Sequence, residues 1–109
     1  MAGPQPNLQQ LMAQAQKMQQ QMMAAQAELA ETHVNGETAG GLVKAVVTGT
    51  GALVSLEIAP SVVDPEDVET LQDLVVAAVR DAAGRAEKLA AETMGPLSAG
   101  MGGMGLPGF

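Results

Sequence analysis

Apolar residues fall at Leu8, Leu11, Ala15, Met18, Met22, Ala25 and Leu29, in steps that alternate between three and four. A seam this narrow belongs to a helix whose apolar stripe meets another helix. The spacing predicts a helix over residues 8–31 with Asn7 as its N-cap. At 1.5 Å per residue it would be about 36 Å long. Gln, Ala, Lys and Met fill the intervening positions, and all of them favour helix. Away from the seam the surface is too polar for a globular core, so the seam calls for a second helix or for a copy of itself.

From Thr32 the pattern changes to β-branched residues punctuated by glycine. Three strands are predicted, over 32–38, 42–48 and 53–58, with Gly40-Gly41 and Gly49-Thr50-Gly51 as the turns between them. Connections this short require antiparallel pairing, because a parallel return needs a crossover of about a dozen residues. On the second strand Val43, Ala45 and Val47 share one face and Lys44 takes the other. On the third, Val54, Leu56 and Ile58 oppose Ser55 and Glu57.

Ala59-Pro60 closes the sheet, and Asp64-Pro65-Glu66-Asp67 opens a second helix. Asp64 is the predicted N-cap, Pro65 takes the first helical position, and Glu66 and Asp67 put negative charge at the positive end of the helix dipole. Leu71, Val75, Ala78, Ala82, Ala86 and Leu89 supply its apolar face, and Gly95-Pro96 predicts a stop after about Thr93. The expected fold is therefore α+β: an α-β-β-β-α protomer whose three-stranded antiparallel sheet is flanked by two long helices. Residues 1–7 are expected to be a flexible N-terminus and 8–97 the folded domain. Residues 98–109 are Gly- and Met-rich and are expected to be disordered.

Composition changes this picture in one respect. The 109-residue chain has no Trp or Tyr, and its one Phe is Phe109, so Ala, Val, Leu and Met must fill the core. A thin core gains from dimerisation, which removes further apolar surface from water at roughly 25 cal/mol per Å². The absence of cysteine excludes disulfides and thiolate metal sites, as a reducing compartment would favour. The N-terminal residues lack the basic and apolar regions of an export signal, and no run approaches the ~18–20 apolar residues of a membrane span. A cytoplasmic protein without a membrane partner is expected.

Candidate chemistry is sparse. Gly100-Met101-Gly102-Gly103-Met104-Gly105 spells the dinucleotide fingerprint but has no strand before it, so nucleotide binding is not expected. His33 is the only histidine, and no spacing joins it to a nucleophile or a second metal ligand. The acids Asp64, Glu66, Asp67 and Glu69 read as helix capping and not as a cation site. No catalytic residue, metal, cofactor or small-molecule substrate is expected, and the chain is read as a binding protein, not an enzyme.

Twelve acidic against five basic residues give a formal charge of −7, which opposes indiscriminate attraction to polyanions. Any nucleic-acid contact must draw on Lys17, Lys44, Arg80, Arg85 and Lys88, the last three interleaved with Asp73, Asp81 and Glu87. Without aromatic stacking platforms, duplex backbone is a better ligand than single strands or RNA.

These segments carry a family resemblance. Leu11-Met12-Ala13-Gln14-Ala15-Gln16-Lys17-Met18-Gln19 is followed by Gly40-Gly41-Leu42-Val43-Lys44 and then by Gly49-Thr50-Gly51. Ile58-Ala59-Pro60, Leu74-Val75-Val76-Ala77-Ala78-Val79 and Leu106-Pro107-Gly108 complete the order. Together they resemble the YbaB/EbfC family of bacterial nucleoid-associated proteins over nearly the whole chain. The resemblance implies an α-β-β-β-α protomer, a tweezers-shaped homodimer with joined sheets, and duplex DNA binding that organises the chromosome and influences expression. It also implies a nucleoid location and a link to recombinational repair, with a repair protein as a further partner. Leu8, Leu11, Met18, Met22 and Leu29 are the expected helix-packing or dimer residues, and the five cations are the expected phosphate contacts. An adaptor that docks on a nucleoid or repair complex without strong DNA binding of its own is the alternative.

Overall fold

A computed structural model describes residues 7–105, with 97–105 as backbone alone. The elements follow the expected order: α1 (Leu8–Glu31), β1 (His33–Thr38), β2 (Val43–Thr48), β3 (Leu53–Ile58) and α2 (Val68–Gly105). Single 3-10 turns occupy Ala39–Gly41 and Pro60–Val62. α1 starts as its sequence dictates, the Asn7 side chain accepting the Gln9 N–H at 2.9 Å.

α2 differs from expectation at both ends. Asp64 does not cap it. Its carboxylate accepts the Glu66 N–H at 2.9 Å and closes a turn, and Asp67 takes the cap instead. The two oxygens of Asp67 accept the Thr70 N–H at 3.3 Å and the Thr70 hydroxyl at 2.7 Å. Two aspartates three residues apart compete for one role, and the second wins because a turn intervenes before Val68. At the other end the predicted stop near Thr93 is overturned: α2 continues through Pro96 to Gly105. Proline removes one N–H to the carbonyl four residues earlier, and here the helix absorbs that loss without ending. Residues 98–105 of the expected disordered tail thus have helical backbone, and 106–109 lie outside the described residues, as do 1–6.

The sheet is antiparallel in the order β1-β2-β3. Gly36 pairs with Ala45 and Ala45 with Leu56; Val43 pairs with Thr38 and Ile58. The register slips between Val46 and Val47, so that Leu53 pairs with Val47 and Val54 is the extra residue. α2 lies across β1 and β2 and leaves β3 to one side. Val43, Ala45 and Val47 face Ala78, Ala82 and Ala86, and these six form the buried core. No side chain there is larger than valine. Packing is nonetheless tight, because Gly36 lets the backbone of α2 rest directly on β1.

The second long-range anchor joins α1 to the sheet. Gly49, in the β2–β3 turn, donates its N–H to the carbonyls of Leu29 at 2.9 Å and Thr32 at 3.0 Å. A Cβ there would lie 2.8 Å from the Leu29 oxygen. Leu29 is accordingly the one buried residue of α1. The rest of α1 leaves the body alongside the second half of α2. The radius of gyration is 21.3 Å, against ~13 Å for a compact domain of this length. The chain forms a small body with a long two-helix arm.

Candidate nucleic-acid interface

The two edges of the sheet are finished differently. β1 is sealed by α2: the outward N–H of Glu37 donates to Asp81 Oδ2 at 2.9 Å, and the Thr38 hydroxyl donates to the Leu74 carbonyl at 2.9 Å. Among the described residues β3 has no such cover. Leu53, Leu56 and Ile58 pair with Val47, Ala45 and Val43 and so share the face that α2 buries elsewhere, yet they are 51%, 40% and 37% exposed. An open strand edge beside an uncovered apolar face is a template for pairing with another strand.

The cations are spread over three elements, and four of the five have acidic neighbours. Lys44 stands on the open face of the sheet between its cross-strand partners Glu37 and Glu57. Arg85 pairs with Asp81 at 3.5 Å and borders the same hollow as Lys44, Glu37 and Glu57. Arg80 shares a shallow depression with Asp73 and Asp81. Lys88 has Glu92 one helical turn further on. The structure brings Lys44 and Arg85 together and keeps Lys17, Arg80 and Lys88 apart.

Lys17 is different. It is exposed near the middle of α1, and the first acidic residue in the chain is Glu28. The last is Glu92, so all twelve carboxylates and the other four cations lie between these two positions. The outer part of α1 is therefore free of acid and carries one positive charge, while the body and the base of the arm together hold the whole negative excess. This segregation is legible in the sequence as a gap in the acids. Totalling the charge over the whole chain conceals it.

The seam of α1 is covered progressively toward its C-terminal end. Leu29 is buried, Met18 and Met22 are half-buried, and Leu11 and Leu8 are 44% and 70% exposed. The helix it meets is α2 of the same chain: Gln26 and Leu29 share a groove with Ala83, Ala86, Ala90 and Met94. His33 is exposed at the start of β1. Among the described residues no acidic or histidine cluster is arranged to hold a metal ion, and no helix is long and apolar enough to cross a membrane.

The chain is thus an elongated α-β-β-β-α fold with one unsealed sheet edge and a helical arm whose outer part carries no acidic side chain. Residues 4–101 match the model of the YbaB/EbfC DNA-binding family, and the chain belongs to that family. It is 60% identical over 107 residues to a nucleoid-associated protein of Rhodococcus opacus, covering 98% of this chain and 95% of that one. A nucleoid-associated protein of Streptomyces griseus is 61% identical over 108 residues, with 98% and 95% covered. Among solved structures, an uncharacterised protein of Helicobacter pylori superposes with a TM-score of 0.65 at 24% identity, covering 89% of this chain and 98% of that one. That likeness shows the fold.

Proposed function

We propose that this chain is a nucleoid-associated protein that binds duplex DNA as a homodimer and helps to organise the bacterial chromosome in the cytoplasm. Gene expression or recombinational repair would feel the consequences. The observation that carries the reading is the segregation of charge. Every acid lies from Glu28 onward, so the first five turns of α1, residues 8–27, meet a polyanion with no acidic side chain of their own. The unsealed edge of β3 and its apolar face support dimerisation, with joined sheets projecting one arm from each protomer as tweezers.

The acidic body favours one second reading, an adaptor that docks on a basic partner in a nucleoid or repair complex. Fluorescence-polarisation titrations of a labelled duplex at several salt concentrations separate the two. If each Lys17 of a dimer neutralises one phosphate, the log–log salt slope is about −2, at about −0.9 per phosphate. Absence of binding at low salt would replace the DNA reading with the adaptor.

A further inference from the structure

One side of α1 is exposed along most of its length. Gln10, Ala13, Lys17, Gln20, Gln21 and Ala24 are all exposed and form one stripe along α1 off the seam that meets α2, with Gln21 on its border three and four residues from the seam positions Met18 and Ala25. From Gln10 to Gln21 the stripe is about 16 Å long. It combines three primary amides and one ammonium with two small residues that keep the surface low, and no acid falls within it.

Such a face fits one kind of ligand surface closely. The major groove is about 12 Å wide and admits a helix. The stripe would run along about five base-pair steps at ~3.4 Å each. A glutamine amide offers a donor and an acceptor side by side, matching the N7 acceptor and N6 donor of adenine. The ammonium of Lys17, on its four-carbon stem, suits the phosphates at the groove wall. We propose that this stripe enters the major groove, with Gln10, Gln20 and Gln21 reading adenine edges and Lys17 anchoring the backbone. The proposal rests on the DNA-binding reading above and adds a preference to it: duplexes rich in adenine are held more tightly than G·C duplexes of equal length.

The test uses the full chain and two duplexes of one A-rich sequence, natural and with 7-deazaadenine in place of adenine. The analogue keeps Watson–Crick pairing and charge but replaces the N7 acceptor by C–H. The wild type should bind the modified duplex about fivefold or more weakly, the lower end of the discrimination that bidentate base contacts give. The triple variant Gln10→Ala, Gln20→Ala, Gln21→Ala should lose that difference while keeping its far-UV circular dichroism, since alanine favours helix at exposed positions. Equal wild-type affinity for both duplexes would overturn the adenine readout and leave DNA binding standing. Failure to bind either duplex at low salt would overturn both.

Discussion

Gly36 lies against the backbone of Ala82 so closely that a Cβ on Gly36 would sit 2.6 Å from the Ala82 Cα. The same atom would lie 2.8 Å from the Ala78 carbonyl oxygen. Both neighbours are backbone, and no rotamer change relieves the overlap. This approach is how a core of valines and alanines closes without aromatic side chains. Gly36→Ala should therefore destabilise the protein by about 3 kcal/mol or more, at or above the upper end for overpacking. Gly84, also on or against α2, has open space around its Cα. Gly84→Ala should stabilise by roughly 0.5–1 kcal/mol through helix propensity alone. Urea denaturation of the two variants checks both signs.

Gly49 makes the corresponding contact for the arm. Its added Cβ would meet the Leu29 oxygen at 2.8 Å and the Leu29 side chain at 2.9 Å. Gly49→Ala should loosen α1 from the body and leave the β1–α2 packing in place. Hydrogen exchange is expected to accelerate across Leu8–Glu31 and to change little in β1 and β2. Uniform acceleration would show that the arm and the body unfold as one unit.

Much of this architecture is legible in the sequence because local rules and burial agree there. The seam from Leu8 to Leu29 locates α1, the alternation Val43-Lys44-Ala45-Val46-Val47 sets the inner face of β2, and Leu71 to Leu89 sets the inner face of α2. Boundaries fail where two residues compete for one task, as Asp64 and Asp67 do, or where a breaker such as Pro96 is tolerated. The slip at Val46/Val47 depends on cross-strand register and has no local signal. The five cations are equivalent by charge. Only the fold sets Lys44 between Glu37 and Glu57, and Arg80 beside Asp73 and Asp81.

Dimerisation through β3 has a selective test. Leu56 is already 40% exposed in the protomer, so Leu56→Lys should alter the protomer's own packing little while placing a charge in the joined face. Sedimentation equilibrium should give a dimer at micromolar concentration for the wild type. The dimer should be about 100-fold or more weaker for Leu56→Lys, as an unpaired charge at an apolar interface requires. Leu8→Lys, at an equally apolar position on the tip of α1, should remain dimeric. A dimer undisturbed by Leu56→Lys would move the interface elsewhere.

DNA meets the outer part of α1 around Lys17, and not the cations of α2. A polarisation titration on one duplex, comparing wild type, Lys17→Glu and the double variant Arg80→Glu, Lys88→Glu, separates the two. Lys17→Glu should weaken binding by about tenfold or more, alike for all sequences, and reduce the magnitude of the salt slope by about 2 for the two arms of a dimer. The double variant should stay within about twofold of wild type, because acidic neighbours already offset those charges. The opposite order, with binding lost in the double variant and retained in Lys17→Glu, would contradict the account.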